Sequence, residues 1–369
     1  MAYAAAAKAA GTRVLQSAVS QFDAGTDKLL LNGHRTIDLV DKRLTDVDVA
    51  TLAVALTETK QFKVVDLSYN ELGAGAAMSL SQVVKSNTVI TALDVSENGI
   101  NEQAVEGLCA ALKTNGTIRE LSLSGNAIGG SGGMAVAELL QVNTALERLS
   151  LANCNLTTES LVALATVLHE NVTLRALDVS RPLARTIMDE PASHFARMLK
   201  VNSSLVELDL SKAGLRDFGL RLIAENLFRA GASSALAALR VRCNKIELTD
   251  ADCVLALRSL LMFEDGRPCR LELLDLGGNQ LRDDGAEKLA EMLNVNASLR
   301  SVDVGSNGLM SRGLCAIAHN VMRHPKLVEL KLWGNHFDTA AGYQFQSFRG
   351  SLDFVVQQVD GVYHCVDAR

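Results

Sequence analysis

One phrase recurs through nearly the whole chain. It runs apolar, any residue, apolar, two variable residues, usually asparagine, any residue, apolar. Val65-Asp66-Leu67-Ser68-Tyr69-Asn70-Glu71-Leu72 is one copy. Leu93 to Ile100, Leu121 to Ile128, Leu149 to Leu156, Leu274 to Leu281 and Val302 to Leu309 are others. Repeat starts fall at Ile37, Val65, Leu93, Leu121, Leu149, Leu177, Leu208, Leu239, Leu274, Val302 and Leu330. The first six are 28 residues apart, the next gaps are 31, 31 and 35, and the last two are 28 again. A fixed period of this length means a stacked architecture in which each unit touches only its neighbours.

The alternation inside the phrase predicts a short strand. Val65 and Leu67 share one face, because strand side chains alternate with period two. A further apolar residue stands three positions before each strand, from Phe62, Ile90 and Ile118 to Leu299 and Leu327. The second half of each unit reads as helix. Ala77, Leu80 and Val84 match Val105, Leu108 and Leu112, and also Leu161, Leu164 and Leu168, an i, i+3, i+7 stripe. Small residues near the helix start (Ala76, Ala104, Gly132, Ser160, Gly219, Gly285, Gly313) allow close approach of helix and strand. The expected fold is an α/β solenoid of about eleven strand–helix repeats, a horseshoe with a parallel concave sheet and outer helices.

The asparagine of the phrase is Asn70, Asn98, Asn126, Asn244, Asn279, Asn307 and Asn335, with Cys154 in the fifth repeat. A buried amide here can bond backbone groups of adjacent turns that would otherwise be orphaned. Lys42, Pro182 and Ala213 hold the slot elsewhere, and less regular turns are expected there. Asn87, Asn115, Asn143, Asn171, Asn202 and Asn296 stand near helix ends, where a left-handed turn is expected of them.

Residues 1–33 read as an N-terminal helical cap, 34–345 as the solenoid and 346–369 as a C-terminal cap. In the last segment, β-rich runs flank Asp360-Gly361, a hairpin signal. Two stretches break the register and are expected to be surface loops. One is Arg181 to Pro191, with Arg181, Pro182, Arg185 and Pro191, where the prolines argue against a regular helix start. The other is Leu260 to Arg270, with Arg267. Loops carry function more often than scaffold does.

The second strand position faces the concave side. It reads Asp38, Asp66, Asp94, Ser122, Ser150, Asp178, Asp209, Arg240, Asp275, Asp303, Lys331. Carboxylates on neighbouring strands, about 4.8 Å apart, repel and invite a cation. That cation is Lys or Arg of a partner, or an internal one such as Arg240 or Arg242, placed to pair with Asp209 and Asp275. Trp333, the single tryptophan, falls on the same side in the last repeat. It is either an exposed interface anchor or packed under the C-terminal cap.

A net charge of −6 and a pI near 5.7 argue against a phosphate-binding surface, so nucleic acid is not an expected partner. No run approaches the roughly 18 apolar residues of a membrane helix. Seven cysteines without a C-x-x-C pair read as free thiols of a reducing compartment. His319 and His324 are five apart, the wrong pitch for one metal-binding helix face, and neither metal nor cofactor is expected. No G-x-S-x-G, G-x-x-x-x-G-K-[ST] or H-E-x-x-H pattern occurs, so no catalytic residue is assigned. Gly129-Gly130-Ser131-Gly132-Gly133 sits in a repeat turn, and phosphate is not expected there.

The L-x-x-L-x-L-x-x-N-x-L phrase at a 28-residue period resembles the ribonuclease-inhibitor-like class of leucine-rich repeats over roughly residues 34–345. The inhibitor itself is Cys-rich and alternates two repeat types; this chain does neither. The irregular parts carry a narrower resemblance: Leu177-Asp178-Val179-Ser180-Arg181-Pro182-Leu183, then Val206-Glu207-Leu208 with Lys212-Ala213-Gly214-Leu215, then Trp333 to Asp338 and Val359 to Tyr363. They are similar to a non-enzymatic adaptor branch associated with motile cilia and flagella, and also with the nucleolus. The resemblance implies an interaction scaffold of the axoneme, near radial spokes or doublet microtubules. The alternatives are a nucleolar or cytosolic adaptor in ribosome assembly and a regulator like the Ran GTPase-activating proteins. The latter usually carry a strongly acidic tail, whereas residues 338–369 hold scattered acids only.

Overall fold

The structure, a computed structural model, describes residues 2–33, 43–182, 188–262, 270–322, 324–346, 354–359 and 362–367. The chain forms two compact units, Met1–Ala184 and Arg185–Arg369. Both are leucine-rich-repeat solenoids in which short parallel strands alternate with helices.

In the first unit, α1 (Ala2–Ala10) and α2 (Gln16–Asp23) precede β1 (Lys28–Leu30). Then follow α3 (Asp46–Glu58), β2 (Val64–Asp66), α4 (Ala74–Ser86), β3 (Ala92–Asp94), α5 (Glu102–Leu112), β4 (Glu120–Ser122), α6 (Gly129–Val142), β5 (Arg148–Ser150), α7 (Thr158–Val167) and β6 (Ala176–Asp178). The strands pair in chain order and in register: Val65 with Leu93, Leu93 with Leu121, Leu121 with Leu149, Leu149 with Leu177.

The first repeat corrects the sequence reading. The partner of β2 is Lys28–Leu30, with Leu29 opposite Val65 and Leu30 opposite Asp66. The expected first strand at Ile37 and Asp38 lies outside the described residues, as does Lys42. The edge repeat is therefore longer than the period, and the neighbour of Asp66 is an apolar residue. Arg13 ties the leading helices to the first repeat. Its Nε and Nη2 donate to Asp48 Oδ1 and Oδ2, each at 2.7 Å. Burial pushes the Asp48 carboxyl up, but bonds from Arg13 and Thr45 outweigh it and hold it below its ordinary value.

In the second unit, α8 (Asp189–Val201), β7 (Glu207–Asp209), α9 (Asp217–Ala230), β8 (Ala238–Arg240), α10 (Ala251–Leu261), β9 (Leu273–Asp275), α11 (Arg282–Val295), β10 (Ser301–Asp303), α12 (Ser311–Val321), β11 (Glu329–Lys331) and α13 (Thr339–Gln346) repeat the plan. Leu208, Leu239, Leu274, Val302 and Leu330 lie side by side. Pro191 is buried in the first turn of α8, where a missing N–H costs nothing, so a helix does start there. Arg185, Arg267 and the Asp360-Gly361 turn lie outside the described residues. The segments beside that turn, β12 (Phe354–Val359) and β13 (Val362–Asp367), form an antiparallel pair separate from the parallel sheet.

The core is the set the periodicity marks. Val65, Leu67, Leu72, Ala77, Leu80 and Val84, and their counterparts in later repeats, are buried. Each large aliphatic side chain so buried contributes about 1.5–3 kcal/mol. The small helix residues serve helix–helix contact more than helix–strand contact. A Cβ on Gly132 would meet Val105 of the preceding helix at 2.8 Å, and one on Gly133 would meet Ser160 of the next at 2.6 Å. The glycine-rich stretch from Gly129 is thus the opening of α6, wedged between two neighbours.

Strands three residues long leave most of each turn's backbone to other partners. The phrase asparagines supply them. Asn126 is fully buried; its Nδ2 donates to Val95 O and Leu123 O, and its Oδ1 accepts from Ile100 N. Asn98, Asn244, Asn279 and Asn335 likewise donate to and accept from the coil before them. Cys154 keeps one bond of the set, Sγ to Leu123 O at 3.2 Å. The residue before the slot is left-handed throughout, at Tyr69, Glu97, Gly125, Asn153, Arg181, Lys212, Cys243, Gly278, Ser306 and Gly334. The turn before Ala213 therefore keeps the common backbone, against expectation, because Asn244 of the next repeat bonds Ala213 N.

A second ladder runs along the helix ends, and it overturns the left-handed expectation. Asn87, Asn143, Asn202 and Asn296 are extended, not left-handed. Each works through its side chain. Asn87 Nδ2 donates to Leu56 O of the preceding helix, while Oδ1 accepts from Val89 N and Ile90 N. Asn143, Asn171 and Asn296 do the same. Twenty-eight residues beyond Asn296, His324 takes the position: Nδ1 accepts from Lys326 N and Leu327 N, and Nε2 lies 3.2 Å from Asn296 Oδ1. Nδ1 is therefore unprotonated, and burial pushes the imidazole below its ordinary value.

Asn126→Ala leaves the buried Ile100 N without its partner and takes one bond each from Val95 O and Leu123 O, which keep Asn98 Nδ2 and Cys154 Sγ; it is expected to destabilise by about 2 kcal/mol in chemical denaturation. His324 gives a pH dependence. Its folded value is lowered, so its contribution is full above the unfolded value near 6.5 and is lost as pH falls through the folded one. Thermal melts between pH 7.5 and 5.5 are expected to show this loss, and His324→Asn to remove it.

Candidate functional site

The sheet face turned away from the helices carries the chemistry, because the other face is closed by the leucine core. Its side chains come from the second and fourth residues of each phrase. In the first unit, Asp66 stands opposite Asp94, Asp94 opposite Ser122, Ser122 opposite Ser150 and Ser150 opposite Asp178. Each aspartate spends one oxygen locally: Oδ1 accepts from the backbone N of Ser68, Ser96 and Ser180 respectively. This explains why aspartate recurs here, since it closes the strand end as an Asx turn. The second oxygen faces outward. Asp66 Oδ2 meets Asn32 Nδ2 at 3.4 Å, and Asp178 Oδ2 accepts from Ser150 Oγ at 3.0 Å. Among the described residues, Asp66, Asp94 and Asp178 form no ion pair with Lys or Arg. Asp38, expected to extend the row, lies outside the described residues.

The second unit differs because it holds its own cations. Arg242 Nη1 lies 2.6 Å from Asp303 Oδ2 and 3.5 Å from Asp275 Oδ1. Arg240 Nη1 lies 3.3 Å from Glu207 Oε2, and Lys331 Nζ 3.1 Å from Glu329 Oε1. The sequence reading placed Asp275 beside Arg242 but missed Asp303, two strands away, as the closer partner. It also missed Glu207, one residue before the core leucine of β7. Extended guanidinium reach across two strands explains the first miss.

Asp303 is only 8% exposed in its side chain, and its Oδ1 accepts from Gly305 N. Asp275 is less enclosed; Oδ1 accepts from Gly277 N. Burial, with Asp303 and Asp209 nearby, pushes the Asp275 carboxyl above its ordinary value despite the bond from Gly277 and the charge of Arg242. Arg242 is itself held more firmly charged; the pull of Asp303 and Asp275 overcomes the effect of its partial burial.

The Trp333 indole is 50% exposed. Arg242 Cζ lies 5.3 Å from its ring centroid, a cation–π distance. Arg242 thus holds the carboxylates and the indole together.

The other expected positions are dispersed. Arg181 is exposed and Pro182 buried at the end of the first unit. Cys109, Cys154, Cys243, Cys253 and Cys315 are free thiols, and burial pushes Cys109 and Cys154 up to about 12, too high for reactive thiolates. Among the described residues, no group of three His, Cys, Asp or Glu side chains converges as a metal site requires, and no helix is long and apolar enough to cross a membrane.

Residues 86–109, 114–137, 142–165 and 269–290 match the family described as Leucine Rich repeat. With the in-register strands and the asparagine ladder, they make this chain a leucine-rich-repeat protein. More narrowly, it is related to leucine-rich repeat-containing protein 34. The mouse protein is 33% identical over 164 residues, which is 44% of this chain and 37% of that protein. The human protein is 31% identical over 166 residues, 45% of this chain and 34% of that protein. The matched stretch therefore spans little more than a third of those relatives. Among solved structures, an internalin of Listeria monocytogenes aligns over 93% of this chain and 83% of its own, at 19% identity and a TM-score of 0.46.

Removing Arg242 as Arg242→Met leaves Asp303 enclosed without its cation and is expected to cost about 2 kcal/mol. Asp275→Asn keeps an oxygen for Gly277 N and removes a repelling charge; its effect is expected within about 0.5 kcal/mol of zero at neutral pH. The raised Asp275 favours folding fully below the ordinary aspartate value, and that contribution is lost as pH rises through the raised one. Denaturant midpoints across that window check both variants.

Proposed function

We propose that this chain is a non-catalytic protein-interaction scaffold of a motile cilium or flagellum, held in the axoneme near radial spokes or doublet microtubules. Its partners are proteins, and the sheet face turned away from the helices receives basic or extended segments of them. One observation carries the docking part. Asp66 and Asp94 sit side by side on adjacent strands, each with an outward oxygen and, among the described residues, no internal cation. Carboxylates so close repel each other, and a partner's Lys or Arg relieves that repulsion. The axonemal part rests on the resemblance carried by the irregular segments, Leu177 to Leu183, Lys212 to Leu215 and Trp333 to Asp338.

Tagging the full chain in a flagellated cell tests the location. Retention in detergent-extracted axonemes is expected; accumulation in the nucleolus would favour the ribosome-assembly adaptor instead. Changing Asp66 and Asp94 together to asparagine, which keeps an oxygen for Ser68 N and Ser96 N, is expected to lower co-purification with axonemal proteins about tenfold while leaving the melting temperature near the parent's. Undiminished co-purification would remove this face from the contact.

A further inference from the structure

The inner wall of the second unit is balanced differently from that of the first, and the imbalance is local. Asp275 and Asp303 lie on neighbouring strands, Asp209 stands one strand beyond Arg240, and Arg242 is the cation that bears on Asp275. Arg242 is committed mainly to Asp303, at 2.6 Å against 3.5 Å to Asp275. Asp275 Oδ1 is also taken by Gly277 N, whereas its Oδ2 has no hydrogen-bond partner among the described residues. Arg240 and Lys331, on either side, are engaged with Glu207 and Glu329. The wall thus presents one enclosed carboxylate, under negative pressure from its neighbours, with an oxygen left over.

Beside it stands a half-exposed indole. Arg242 fixes Trp333 from one face, so the ring is already ordered before anything docks, and ordering it adds little to the cost of binding. Asp275 and Trp333 are two strands apart, about 10 Å across the sheet, the span of roughly three extended residues. An ordered, half-exposed aromatic beside a charge-selective group is the arrangement of an interface anchor.

We propose that this wall of the second unit binds an extended, arginine-bearing segment of a partner protein, with one guanidinium on Asp275 Oδ2 and a neighbouring apolar side chain of the same segment against Trp333. Guanidinium is preferred to ammonium because it is more weakly hydrated and loses less on entering a partly buried wall. The proposal rests on the reading that this sheet face is the contact surface, and adds a second contact there, with its own selectivity.

Trp333 is the single tryptophan of the chain, so emission excited selectively in the indole band reports on this wall alone. The full chain is titrated with a short capped, dye-labelled peptide of arginine, leucine and glycine, and with its twin carrying citrulline for each arginine. Expected are a saturable change in Trp333 emission that follows the peptide's anisotropy, and about tenfold weaker binding of the citrulline twin. Asp275→Asn, which keeps the Gly277 bond, is expected to weaken the arginine peptide about fivefold, and Trp333→Phe to weaken both peptides. Equal affinity for the Asp275→Asn variant would overturn the proposal. So would a silent Trp333 signal while anisotropy reports binding that Asp66→Asn with Asp94→Asn abolishes; that outcome leaves the first unit's docking face standing. No anisotropy change with any form of the chain would remove both.

Discussion

The repeats depend on a side-chain amide that does the work of missing main chain. Three-residue strands provide few ladder bonds, and the left-handed residue that follows each of them adds a small conformational cost. What makes the turn stable is that a buried asparagine donates to a carbonyl of the coil before it and accepts from the chain that enters that same coil's helix. Neutral, planar and bifunctional, asparagine satisfies both directions from one site. Leucine burial supplies the larger energy, but leucines alone would permit many stackings. The amide bridge selects one register, because a shift of one residue would leave buried backbone groups unpaired on two coils at once.

Much of this was legible in the sequence because it is periodic. The core stripe, the strand positions from Val65 onward and the role of Asn70 and its equivalents follow from spacing alone. The failures occur where period and physics part. Extending the 28-residue grid back from Val65 lands on Ile37, yet the structure pairs Lys28–Leu30 with β2; an edge repeat has no earlier neighbour to hold it to the period. The helix-end asparagines were assigned to a backbone conformation when their value lies in the side chain, which the spacing of 28 between Asn87, Asn115, Asn143 and Asn171 could have suggested. His324 falls on the same grid and carries the same acceptor function at Nδ1, so a residue that looked like a failed metal ligand is a ladder member.

The candidate site was half legible. Which residues share the outward face follows from period two, and the structure lines up Asp66 with Asp94 and Asp275 with Asp303. Which carboxylate a long cation selects does not follow from register. Arg242 passes Asp275 to reach Asp303 and is backed by Trp333, a choice made by side-chain length and desolvation. The same phrase therefore yields two surfaces: in the first unit aspartates share the wall with serine hydroxyls, and in the second they surround an internal guanidinium. Sequence identity of the repeat is a statement about the core and says little about the wall.

The asparagine bridges reach only to adjoining coils, and their partners are carbonyls and N–H groups, which are the same in every coil. A bridge cannot distinguish one neighbour from another of the same length. Gene duplication or loss of a complete coil would thus find every bond waiting for it, whereas loss of a fraction of a coil would strand buried dipoles on both sides of the scar. Length in such a chain is free to drift in whole coils, and the outward residues carried by each coil move with it as a block.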